Sequence, residues 1–216
     1  MAKIRIGLSG WSYKHWRGVY YPDPVSQKKE LEYIGSRFNT VEINGSFYSL
    51  LSPKTYRRYY EMTPPEFVFS VKGSRFITHI KRLKDIETPL ANFFASGVLE
   101  LNEKLGPILW QLPPNSKFDP DVLDGFLQKL PKNTEEAAQL AEKHDQRVAD
   151  KASTKTESKH GLRHAIEIRS ETFFVPECVR ILRNHGMAAV FSDSGSWPYT
   201  EEVTAGFIYI RLHGSP

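Results

Sequence analysis

Ionisable and polar residues recur at the ends of seven short β-type runs in this sequence, and they fall on a single parity. The runs span residues 4–9, 40–44, 67–72, 107–112, 164–169, 188–192 and 207–212. Side chains alternate across a strand, so residues of one parity share a face. The first run offers Ser9, followed by Trp11; Glu42 and Asn44 share a face of the second; Ser70 and Lys72 end the third, with Thr78 and His79 just beyond. Gln111 closes the fourth, Glu167 and Arg169 share a face of the fifth, Asp193 follows the sixth, and Tyr209, Arg211 and His213 run along one face of the seventh. Buried charge is costly unless it is paired, so a structural scaffold has no need of this habit. Seven strands that share it predict a site.

The residue types suggest the chemistry. Glu42, Glu167 and Asp193 suit general acid–base transfer, or, with His79 and His213, a hard cation. The plainer alternative is that they neutralise Lys72, Arg169 and Arg211 in a buried ionic network. The interleaved cations offset the negative charge that a divalent ion requires, and no HExxH-like spacing occurs, so neither metal nor cofactor is expected. Lys72, Arg169 and Arg211 suit a phosphate or carboxylate clamp, or structural pairing with the two glutamates. Trp11, Tyr13, Trp16, Phe47, Tyr48 and Trp197 cluster beyond strand ends, where rings stack on a sugar or base, or simply pack locally. Ser9 lacks the GxSxG elbow of a serine nucleophile. Cys178, opening a helix after Pro176, reads as a packing residue.

These residues need elements to hold them. Between the strand runs lie helix-like segments at 27–37, 53–61, 89–105, 120–130 and 176–185, and Pro53, Pro89, Pro120 and Pro176 suit first helical turns. Strands alternating with helices argue for βαβ units and a parallel sheet. The turn after the first strand reads GLSGWSYKHW rather than GxGxxG, which favours a closed barrel over an open dinucleotide-binding sheet. The expected fold class is therefore α/β, a TIM-type (β/α)8 barrel in one domain over 1–216. Such barrels run to about 250 residues, and this sequence ends at Gly214-Ser215-Pro216 after the seventh strand, so the last strand and helix are expected to be missing. Residues 132–161 form a polar insertion, with a helix in TEEAAQLAEKHDQRV and a flexible loop in KASTKTESKHG.

Composition bounds the setting. With 216 residues, 40% of them hydrophobic and 25% charged, the chain can bury a substantial core. A single cysteine excludes an intramolecular disulfide and a cysteine-based zinc cluster, and it fits a reducing, cytoplasmic setting. Met1-Ala2-Lys3 leads straight into a strand without a signal-peptide apolar region, and no apolar run suits a membrane helix. A net charge of +4 permits an anionic partner without requiring one.

The segments GLSGWSYKHW, FNTVEINGSFY, FVFSVKGSRFITH, LGPILWQLPP, EIR, SD and IRLHG, in that order, resemble the YecE-like proteins, domain of unknown function 72. The resemblance implies a TIM-type barrel and no established reaction. It matches Ser9, Gly10, Trp11, Trp16, Glu42, Asn44, Phe47, Tyr48, Lys72, Thr78, His79, Gln111, Pro113, Glu167, Arg169, Asp193, Arg211, His213 and Gly214. It departs at Ser170 and Thr172-Phe173, where the family usually carries His and then Ser-Trp.

The leading functional expectation is an enzyme for a small polar, anionic or sugar-like substrate. In it, Glu42, Lys72, Glu167, Asp193 and His213 are the catalytic candidates. Ser9, Trp11, Asn44, Tyr48, His79, Gln111, Arg169 and Arg211 are the binding candidates. Glu42 or Glu167 would transfer the proton, Lys72 with Arg211 would stabilise negative charge, and His213 or His79 would be the partner acid–base. The alternatives are a nucleic-acid-binding protein, including a metal-dependent phosphodiesterase, and a non-catalytic scaffold.

Overall fold

A computed structural model describes residues 3–214; Met1, Ala2, Ser215 and Pro216, where the leader reading begins and the early stop falls, lie outside the described residues. Seven strands lie among the described residues: β1 Gly7–Leu8, β2 Thr40–Ile43, β3 Val68–Lys72, β4 Leu105–Gln111, β5 His164–Glu167, β6 Ala188–Asp193 and β7 Tyr209–Leu212. They pair in chain order and every pairing is parallel. Each expected strand is present, most with tighter limits.

Register fixes which side chains share the concave face. Glu42 lies opposite Ser70, Lys72 opposite Leu109, Gln111 opposite Glu167, and Ser192 opposite Arg211. The sheet curls far enough for its last strand to meet its second and third across the interior. The Tyr209 hydroxyl donates to Glu42 Oε2 at 2.8 Å and lies 2.6 Å from Ser70 Oγ. The result is a seven-stranded half-barrel.

The helices are α1 Glu30–Gly35, α2 Gly45–Tyr48, α3 Pro53–Glu61, α4 Glu87–Ala95, α5 Pro120–Gln128, α6 Thr134–Ala141 and α7 Pro176–His185. Three begin at the expected prolines, and Ser52 and Asp119 cap α3 and α5 by accepting from the Thr55 and Val122 amides. The single helix expected over 89–105 is divided into α4 and a 3₁₀ stretch, Val98–Lys104. The break is at Gly97, whose φ of 110° ends α4 and whose missing Cβ leaves room for Pro53 Cα, 2.4 Å from where that atom would stand. Within residues 132–161, α6 stops at Ala141, and Asp145 beyond it is tied to Asn92 of α4 by two 3.0 Å hydrogen bonds. The stretch expected to be a flexible loop is irregular yet anchored: the Ser153 amide donates to Ala95 O at 2.8 Å, and Thr134 Oγ1 to Ser158 O at 2.6 Å.

The main core lies between sheet and helices, around Trp110, Phe93, Phe94 and Phe126. A smaller cluster, Leu109, Ala165, Ala188 and Val190 with Phe207 against it, fills the concave side. The opposite face of β7 is different: Ile210 and Leu212 are 57% and 77% exposed, Ile208 just before the strand is 52% exposed, and Ile4 and Ile6 before β1 are exposed as well. No helix of the described residues is long and apolar enough to cross a membrane.

Candidate functional site

Arg211 is the hub at the carboxyl ends of the strands. One of its terminal nitrogens donates to Glu42 Oε1 at 3.0 Å and Ser9 Oγ at 3.1 Å, and the other donates to Glu167 Oε2. Arg169 holds the remaining Glu167 oxygen from Nε at 2.7 Å and Nη2 at 2.6 Å, while its guanidinium lies over the Trp197 ring at 4.4 Å. Ser9 Oγ donates to Glu42 at 3.0 Å and accepts from Asn44 Nδ2 at 3.1 Å. Strands β2, β5 and β7 and the turn after β1 thus converge on two carboxylates and two guanidinium groups. Charge-assisted pairs of this kind are the strong hydrogen bonds of a protein interior.

Electrostatics follow from that packing. Burial raises the pKa of Glu167, but the adjacent Arg211 and Arg169 more than offset it, and the carboxyl is held below its ordinary range. His213 Nε2 stands 3.8 Å from Glu167, and burial with Arg211 nearby lowers its pKa, so the ring favours its neutral form.

Lys72 differs from its neighbours. It is 8% exposed, its ammonium lies 4.3 Å from the centre of the Phe47 ring, and among the described residues it has no carboxylate within 4.0 Å. Burial, and then the Arg211 charge, lower its pKa to about 8. The one-turn helix α2 sets Phe47 in place: Ser46 Oγ donates to both Ile43 O and Lys72 O, joining the ends of β2 and β3. A five-residue π-turn, Phe76–Ile80, brings in His79, which packs edge-on to Phe47 and meets the Thr78 hydroxyl at 2.8 Å. Burial first, then Arg75 and Lys72, lower its pKa.

The remaining candidates divide. Gln111 is buried beside Glu167 in register. Trp11 packs edge-on to Tyr59 and lines a neighbouring open cavity of about 510 Å³ with Tyr13, Asn44 and Arg58. Tyr48 sits at the rim, 72% exposed against Phe47. Asp193 is not brought into the cluster. Strand β6 runs through it instead of ending before it, so its parity is that of the outward face, and its side chain is exposed. The inward residue is Ser192, 2% exposed, whose hydroxyl has no hydrogen-bond partner among the described residues. Counting parity from Ala188 would have found it. Among the described residues, no group of three or more His, Cys, Asp or Glu side chains is arranged to hold a metal ion.

Residues 5–216 match the family model described as "Protein of unknown function DUF72". Over 116 residues the chain is 31% identical to UPF0759 protein YunF of Bacillus subtilis (strain 168), a match covering 51% of this chain and 40% of that protein. It is 30% identical over 131 residues to UPF0759 protein YecE of Escherichia coli (strain K12), covering 59% and 44%. The matched stretches thus span less than half of these relatives' own length. Among solved structures, a DUF72 family protein from Thermotoga maritima MSB8 superposes with a TM-score of 0.71 at 28% identity, over 97% of this chain and 74% of that one. A DUF72 family protein from Enterococcus faecalis V583 gives 0.68 at 18% identity, a likeness of fold alone, over 98% and 71%.

Proposed function

The chain belongs to the DUF72 family of proteins of unknown function, and from that premise we propose that its curled sheet is seven strands of a TIM-type (β/α)8 barrel whose polar mouth takes a small anionic or sugar-like substrate. The observation that carries this reading is a charge imbalance. Glu42 and Glu167 are both engaged by Arg211, and Glu167 by Arg169 as well, while Lys72 is left without a carboxylate among the described residues. A buried cation without a counter-charge is costly, and an anionic ligand would supply the missing partner. Asn44 and Gln111 stand ready for hydroxyl groups. The position agrees with the general habit of such barrels, whose sites lie at the carboxyl ends of the strands.

If the site is catalytic, Lys72 is a better proton-transfer group than Glu167. A general acid or base works best with a pKa near the working pH, and Lys72, at about 8, meets that condition. A carboxylate held by two guanidinium groups, as Glu167 is, makes a weak base. The glutamates then serve to hold Arg211 and Arg169, and His213 is the second proton carrier. A cytoplasmic setting belongs to the same proposal and rests on the single cysteine. Nucleic acid is the less favoured partner, because the uncommitted cation is buried rather than set in an exposed basic stripe.

The test is calorimetric titration with inorganic phosphate, a sugar phosphate and the corresponding neutral sugar. The charged ligands should bind more tightly than the neutral one, and Lys72→Met should weaken them about tenfold or more, the loss of one charge-assisted contact. Equal affinity in the variant, or a preference for the neutral sugar, would overturn the reading.

A further inference from the structure

We propose that the Lys72 amine is a nucleophile, forming an imine with the carbonyl carbon of a small anionic aldehyde or ketone; this rests on the anionic-substrate reading above and adds a covalent step to it. A lysine acts this way when it is desolvated, placed beside other cations and spared an ion pair that would fix its proton. Lys72 meets all three conditions. It ends β3 at the mouth, 8% exposed, with its nitrogen against the Phe47 ring rather than a carboxylate. Arg211 from β7 and Arg169 after β5 both oppose the ammonium form. Glu42 from β2 and Glu167 from β5 favour it, but each is already bonded to a guanidinium, and His79 on the following turn leans towards its neutral form. With a pKa of about 8, roughly a tenth of the amine is unprotonated at pH 7, against a few parts in ten thousand for an ordinary lysine.

The step balances without an oxidant or reductant. The nitrogen lone pair forms the C–N bond as the carbonyl π pair moves to oxygen. One N–H proton passes to that oxygen, and the other leaves with the hydroxyl as water, giving C=N. The positive charges of Arg169 and Arg211, which act on Lys72, would also favour a substrate carboxylate or phosphate beside it.

Glyoxylate, the smallest anionic aldehyde, is the probe. The full chain is incubated with it and sodium cyanoborohydride, which reduces any imine to a stable carboxymethyl-lysine, and peptide mapping locates the product. At pH 7, Lys72 should be labelled at least about tenfold faster than the other lysines, and inorganic phosphate should slow it. Glyoxylate binding is measured in parallel without reductant on the wild type and on Lys72→Arg, which keeps the charge and loses the nucleophile. Binding to both proteins without selective labelling of Lys72 would overturn the imine and leave the anion site standing. Neither binding nor labelling would overturn both.

Discussion

Holding the Lys72 ammonium out of water costs the folded state about 3 kcal/mol at neutral pH, an order-of-magnitude figure from the displacement of its pKa to about 8. The sign follows from linkage: the folded value lies below the unfolded one, so the unfolded chain holds more protons between about pH 8 and the ordinary lysine range, and stability rises with pH across that window. Lys72→Met should therefore raise the urea midpoint at pH 7 and flatten the rise between pH 8 and 10. A lowered midpoint would make Lys72 structural. Glu167 has the opposite sign. Its folded pKa is depressed, so its contribution is complete above the ordinary carboxylate range and is lost as pH falls through the folded value. Glu167→Gln leaves Arg211 and Arg169 without their shared charge, and should cost about 3–5 kcal/mol in denaturant unfolding at pH 7. Most of this cluster was legible from alternation alone, because parity follows from the pleat: Glu42, Lys72, Glu167, Arg169 and Arg211 were all read on one face. Asp193 was misplaced because reading it as a loop residue left its direction free, whereas β6 continues through it and turns it outward.

At the scale of elements, the close approach of β3 to β4 makes the sharpest prediction. A Cβ on Gly73, the residue after Lys72, would stand 2.3 Å from the Trp110 ring. That ring cannot yield: it is fully buried, its Nε1 donates to His164 Nδ1 at 3.2 Å, and His164 Nε2 meets Pro131 O at 2.8 Å. Gly73→Ala should destabilise by about 2 kcal/mol or more, overpacking without relief, read as a lowered thermal midpoint. Long elements were readable because each left a period or a cap: prolines opened α3, α5 and α7, and β-type runs marked every strand. The four residues of α2 and the five of the Phe76–Ile80 turn are too short to show helical periodicity. They nevertheless position Phe47 and His79, so the apolar side of the Lys72 environment was the part that sequence did not reveal.

At the scale of the whole molecule, Ile4 and Ile6 before β1, and Ile208, Ile210 and Leu212 just before and along β7, are all more than half exposed. Exposed apolar side chains that recur along a strand promote association. Sedimentation over a concentration series should show this chain self-associating, and Ile210→Glu should shift it towards monomer with the ligand site intact. The bonds that draw β7 across the concave face reach far along the chain: Tyr209 to Glu42 spans 167 residues, Arg211 to Glu42 spans 169, and Arg211 to Ser9 spans 202. A chain emerging from the ribosome can thus stack its sheet against its helices before Arg211 has left the exit tunnel. Until then Glu42 and Glu167 face each other without the cation between them, so the interior matures before the pocket acquires its charge balance.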